Sequence, residues 1–201
     1  MKRLLAYLFL VLVLIFSLQS WTKADDISDF EIEGMGVGDS LYDFFDKKKI
    51  NNSIVDWYDD LEKYKYISFA FDSNKFETYD FVDIWTKYDD KQFKIYAIAG
   101  VNYFGQNKEI KDIKDCYSQQ KDIANSLMQL FPGAEKKGPY KNIFYSADPT
   151  GKSTYTDIYL DLNINNYEVV IGCYDWNKDL KNKVDHLYIA IRTLVFSKWL
   201  N

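Results

Sequence analysis

Three stretches near the C-terminus decide how this chain reads: STYTDIYLDL (153–162), YEVVIGCYD (167–175) and DHLYIAIRT (185–193). Each alternates with a period of two. Ile158, Leu160 and Leu162, then Val169, Ile171 and Cys173, then Leu187, Ile189 and Ile191 share one parity. Tyr155, Asp157, Tyr159 and Asp161, then Glu168 and Tyr174, then His186, Tyr188 and Arg192 share the other. A strand turns successive side chains to opposite faces, so these stretches read as strands with one apolar row and one aromatic–polar row. Residues 163–166 and 176–183 read as the turn and loop between them.

Upstream, Ile110, Ile113, Tyr117, Ile123, Ala124, Leu127, Leu130 and Phe131 fall on one side of a 3.6-residue helix that stops before Pro132-Gly133. Cys116 lies on that side, and Cys173 lies on the apolar row of its strand. Both sulfurs therefore face a core, and a Cys116–Cys173 bridge would join helix to sheet. The closed loop of about 57 residues is worth about 4 kcal/mol in the chain-entropy account. Two buried free thiols remain the alternative, with a reactive nucleophile behind both.

Further toward the N-terminus, residues 66–71 read as a strand and 81–88 with 93–101 as a hairpin around Asp89-Asp90-Lys91. Residues 34–40 form a turn into a short helix capped by Asp39 or Ser40. Ser53 reads as the cap of a second helical stretch carrying Ile54, Trp57, Tyr58 and Leu61. Gly138-Pro139 reads as a loop, and Phe196, Trp199 and Leu200 as a short terminal helix. The expected fold is α+β: a mostly antiparallel sheet on one long amphipathic helix, with short N- and C-terminal helices.

The first 24 residues read as an address. Lys2 and Arg3 precede an apolar run over residues 4–16, and Thr22-Lys23-Ala24 resembles a cleavage site. The expected division is a signal peptide over 1–24 and a single α+β domain over 25–201. The alternative is an uncleaved anchor over residues 4–21, the only circumstance in which membrane contact is expected. The chain carries 25 basic and 30 acidic residues; losing Lys2, Arg3 and Lys23 leaves 22 against 30, a formal charge of −8. So acidic a body does not suit nucleic acid, whose phosphates require a basic surface. The expected location is the periplasm or the secreted fraction.

Several segments together carry a likeness. They are Gly34–Phe45 after Ile32-Glu33, the Asp115-Cys116-Tyr117 helix ending in Leu130-Phe131, and Cys173-Tyr174-Asp175-Trp176. To these are added Asp185-His186-Leu187 and Phe196-Ser197-Lys198-Trp199-Leu200. The chain resembles small exported proteins of AT-rich marine alphaproteobacteria that carry no assigned activity. The resemblance implies an envelope location and a shared architecture, and it supplies no site.

Familiar chemical motifs fail on their context. Residues 146–153 differ from the phosphate-binding pattern by Ser146 in place of the first Gly, and a strand-like stretch follows where a helix should open. Asp175, Asn177 and Asp179 copy three calcium-loop positions, but Leu180 and His186 stand where Gly and Glu belong. Gly34, Gly36 and Gly38 read as a tight turn into a capped helix. His186 is the only histidine, so zinc chemistry lacks ligands. Asp157 and Asp161 sit about 13 Å apart along one strand, beyond the span of a glycosidase pair. No catalytic residue, metal or cofactor is expected.

The aromatic–polar strand face is the one positive signal, with Tyr155, Tyr159, Asp161, Tyr188 and Arg192 as the candidate ligand- or partner-binding residues. The expected function is a non-enzymatic envelope module binding an envelope protein or a small polar ligand. The alternative is a metal-independent exported hydrolase using carboxylates. A deep cavity with converging carboxylates would favour the enzyme, and a broad shallow face the module.

Overall fold

The computed structural model describes residues 30–55, 65–72, 76–104, 110–146, 148–162, 166–180 and 183–200. The expected leader, Trp57, Tyr58 and Leu61, and most of the 163–166 turn lie outside the described residues. After a 3-10 turn at Leu41–Asp43 come α1 (Lys47–Asn52), β1 (Ile54–Val55), β2 (Tyr66–Asp72), β3 (Phe81–Lys87) and β4 (Ile95–Tyr103). Then follow α2 (Ile113–Leu130), β5 (Glu135–Phe144), β6 (Thr154–Asp161), β7 (Tyr167–Asp175), β8 (His186–Thr193) and α3 (Leu194–Leu200). The architecture is α+β. One antiparallel sheet runs β1-β2-β3-β4-β8-β7-β6-β5, so two meanders join along β4 and β8.

Register explains why the sheet holds. Leu160, Val169, Ile191, Ile98, Ile84 and Phe69 are successive cross-strand partners, and all are fully buried. Ile158, Ile171, Leu187, Ile189 and Leu162 are buried in the same core cluster. Slipping one strand by a residue would turn its whole apolar row to the other face, so this row fixes the pairing. Each such side chain contributes about 1.5–3 kcal/mol on full burial.

On this inner face, α2 starts at Asp112, whose carboxylate accepts from the Lys114 and Asp115 amides. Its buried residues are Cys116, Gln120, Ala124 and Leu127, one stripe at helical spacing. Cys116 is bonded to Cys173 of β7, with Cα atoms 6.0 Å apart. One turn on, the Gln120 Nε2 donates to the Thr156 and Ile171 carbonyls at 2.7 and 2.6 Å. Among the described residues no helix is long and apolar enough to cross a membrane.

Two local expectations need correction. Ser53 ends a helix instead of starting one: α1 is capped by Asp46, and Ser53 is its C-cap. Ile54 and Val55 then pair with Phe69 and Ser68, where β-branched residues fit a sheet better than a helix. The second concerns Gly138-Pro139, which lies inside β5 instead of a loop. β5 is an almost wholly exposed edge strand whose pairing with β6 shifts register on both sides of Tyr140. Pro cannot donate to a ladder and is tolerated at such an edge. Gly138 takes φ +93°, and a Cβ there would lie 2.8 Å from the Asp157 carbonyl oxygen.

Candidate functional site

The opposite face of the sheet is built differently, and its register assembles a site from both meanders. Four cross-strand rows run over it. The first joins Tyr155, Tyr174, His186 and Tyr103, and the second joins Asp157, Gly172, Tyr188, Val101 and Phe81. In the third stand Tyr159, Val170, Ala190, Ala99 and Asp83, and in the fourth Asp161, Glu168, Arg192, Ala97 and Trp85. Small residues occupy the middle of the third row, at Val170, Ala190 and Ala99, and aromatic ones the whole of the first. α3 covers one side, where Phe196 packs on Tyr66 and Trp85 at 4.9 and 5.6 Å between centroids. The rest is a cleft of about 600 Å³.

In the first row the rings stack across the strands. Tyr155 lies 5.5 Å from Tyr174, and Tyr174 4.7 Å from His186, each pair nearly parallel. Trp176, just beyond β7, extends the wall and meets Tyr145 edge-on at 4.7 Å. The His186 Nδ1 faces the Val184 carbonyl at 2.8 Å; a carbonyl only accepts, so Nδ1 carries the proton. Burial pushes the His186 pKa down to about 4, although that carbonyl and Asp185 act in the other direction. His186 is therefore a neutral member of an aromatic wall at pH 7.

Asp157 is the chemically distinctive group. It is 4% exposed, and burial raises its pKa to about 6 against the opposing effects of Tyr159 and Arg192. Its Oδ2 accepts from the Tyr159 hydroxyl at 3.0 Å, whereas its Oδ1 has no hydrogen-bond partner. Gly172 makes room for this carboxylate: a Cβ there would lie 2.7 Å from Oδ1 and 2.9 Å from the Tyr174 ring. Burial and the adjacent Asp157 together push the Tyr159 hydroxyl well above its ordinary range. Arg192 caps the arrangement, its guanidinium 5.6 Å from the Tyr159 ring centroid and its Nε donating to Glu168 at 2.8 Å.

Of the residues expected from sequence, Tyr155, Tyr159, Tyr188 and Arg192 line the cleft. Asp161 does not. It lies at the end of its row beside β5, where it pairs with Lys137 at 3.4 Å. Trp85, Tyr103 and Asp83 arrive from the first meander, and Tyr145 and Trp176 from connecting segments; none was expected at the site. Parity could have placed Trp85 and Tyr103 on a face, but only the β4–β8 pairing says that it is this face.

The turn at 146–153 closes the β5–β6 hairpin. The Asp148 carboxylate accepts from the Thr150, Lys152 and Ser153 amides. Asn177 and Asp179 reach across to this turn, Asn177 to the Thr150 hydroxyl at 2.8 Å and Asp179 to Lys152 at 3.4 Å. These contacts hold the rim beside Trp176.

The groups that shift Asp157 are its burial, Tyr159 and Arg192, with no second carboxylate among them. Asp83 stands four inter-strand steps away, about 19 Å along the sheet. The site is a cleft lined mostly by aromatic side chains around one buried, half-satisfied acid. No protein-family model, curated protein or solved structure matches this chain.

Proposed function

We propose that this is a non-enzymatic binding protein whose outer sheet face takes a small organic ligand with a hydrogen-bond donor. The observation that carries this reading is Asp157 Oδ1, buried without a partner on a residue that lines an aromatic cavity. Sites for small molecules combine apolar and aromatic walls with a few placed polar groups, in volumes of about 300–1,000 Å³. The cleft's volume of about 600 Å³ falls within that range, which favours the small ligand over a protein partner. A two-carboxylate hydrolase needs a second acid within about 5–9.5 Å of the first, and Asp157 has no such neighbour among the described residues that shift it.

In this reading α2 serves as the inner cover of the sheet and leaves the outer face for the ligand. The protein works in the envelope or outside the cell. The Cys116–Cys173 bond supports that location, because such bonds persist in oxidising compartments.

The test is saturation-transfer NMR of the oxidised protein against low-molecular-mass envelope extract. Some resonances should receive saturation from the parent protein and lose it with Val170→Trp, which fills the middle of the cleft. Absence of transfer, or equal transfer with the filled cleft, refutes the proposal.

A further inference from the structure

A continuous chain of contacts runs from the cleft to α3. The Asp157 Oδ2 accepts from the Tyr159 hydroxyl at 3.0 Å. The Arg192 guanidinium lies over the ring of that tyrosine, 5.6 Å from its centroid. The Arg192 Nε donates to Glu168 Oε2 at 2.8 Å, and the same oxygen accepts from the Ser197 hydroxyl of α3 at 2.9 Å. The Arg192 and Glu168 side chains are 13% and 16% exposed, so solvent ions screen this pair little.

α3 depends on what it touches, because seven residues are too few to hold a helix in water by themselves. Its first residue is pinned where it leaves β8, the Leu194 amide donating to the Asn166 carbonyl at 2.8 Å. Beyond that point Phe196 and Trp199 rest on Tyr66 at 4.9 and 5.0 Å between centroids, and Ser197 is held by Glu168. Phe196 and Leu200 line the cleft, so lifting α3 about its pinned end widens it.

We propose that α3 is a hinged strap on the cleft, latched by Glu168 and loosened when negative charge on Asp157 draws Arg192 away from that latch. With Asp157 protonated, the guanidinium has Glu168 as its carboxylate and Glu168 keeps Ser197. With Asp157 ionised, two carboxylates compete for one guanidinium across the Tyr159 ring. Burial raises the Asp157 pKa to about 6, so the charge forms as pH rises through 6: the strap is closed below that value and looser above it. Asp157 is faced by Tyr140 from β5, by Tyr155 and Tyr159 on β6, by Tyr174 from β7, and by His186, Tyr188 and Arg192 from β8. Burial, with Asp157 nearby, pushes the Tyr155, Tyr159 and Tyr174 hydroxyls up, and burial pushes His186 down to about 4. These four are therefore neutral around pH 6. Glu168 stands beside Asp161 of β6 and Arg192 of β8, with Lys137 of β5 acting on it.

The experiment is hydrogen exchange of the oxidised full chain at pH 5 and pH 7, read by mass spectrometry as protection factors over residues 194–200. In the parent, α3 protection should fall roughly tenfold from pH 5 to pH 7, the weight of one hydrogen bond to a charged group, while β8 keeps its protection. Asp157→Asn cannot ionise and should hold the pH 5 value at both. Glu168→Gln removes the latch charge and should show the low value at both. If Asp157→Asn does not fold, Tyr159→Phe is the substitute and should move the loosening to higher pH. Equal α3 protection in the parent at both pH values overturns the proposal, and so does a fall that survives in Asp157→Asn or stays at the same pH in Tyr159→Phe. Loosening in Glu168→Gln without a pH response in the parent leaves Glu168 a fixed brace and overturns the release by Asp157. No readout involves a ligand, so the saturation-transfer result decides separately whether the cleft binds one.

Discussion

Replacing Asp157 with Asn should change how stability depends on pH, and the size follows from the site. In the unfolded chain the carboxyl titrates at its ordinary value of 3.8, and in the fold at about 6. Below pH 3.8 both states are protonated and the group costs nothing. Between the two values the folded chain holds a proton that the unfolded chain has released. Stability therefore falls as pH rises through this window, and above pH 6 the fold carries the full cost of a buried carboxylate. That cost is about 3 kcal/mol over the whole window, of which about 2 kcal/mol is incurred between pH 4 and pH 7. Urea denaturation of the parent and Asp157→Asn at pH 4, 5, 6 and 7 isolates it, because groups that do not interact with Asp157 cancel in the difference. The gap should move in favour of Asn by about 2 kcal/mol from pH 4 to pH 7. Tyr159→Phe, which removes the hydrogen bond opposing the shift, should move the midpoint upward. A gap constant with pH would mean that Asp157 is ionised throughout and has a partner, and the acceptor assigned to the cleft would be lost with it.

The Cys116→Ala, Cys173→Ala pair should lose about 4 kcal/mol and melt roughly 8–16 °C lower, from the loop its bond closes; an unchanged melting temperature in oxidised protein would refute this. His186 should show flat ring proton shifts from pH 8 to pH 5, and a transition near 6.5 would place it outside the stack. Because its folded pKa lies below its unfolded one, its contribution to stability should be lost as pH falls from 6.5 toward 4. Gly172→Ala should cost about 1–3 kcal/mol by forcing Asp157 and the Tyr174 ring apart, and normal stability with unshifted Asp157 titration would show that the contact relaxes freely.

The strand periodicity of the last third was legible residue by residue. Ile158, Leu160, Val169, Ile171, Leu187 and Ile191 lie where alternation put them, because which face a side chain takes follows from its position along one strand. The pairing of Cys116 with Cys173 was legible for a similar reason, since helix and strand periods each aimed one sulfur at a core. Elements that break local rules were not legible. β5 was hidden by Gly138 and Pro139, which only an edge strand with shifted register accommodates. The true end of α1 at Ser53 depends on β1 finding β2, a contact that the local sequence does not announce.

The candidate site divides along the same line. Sequence alone established an aromatic–polar strand face and named Tyr155, Tyr159, Tyr188 and Arg192 on it. Only the tertiary structure joined the two meanders through β4 and β8, brought Trp85, Tyr103 and Asp83 opposite those residues, and separated Asp161 from them by its pairing with Lys137. It also decided that Asp157 is the buried acid, because that depends on Gly172 standing beside it on the next strand. Side-chain direction is a local property of the backbone, whereas cavities, burial and orphaned hydrogen-bonding groups arise from which distant strands pair, and nothing within a single strand specifies its neighbour.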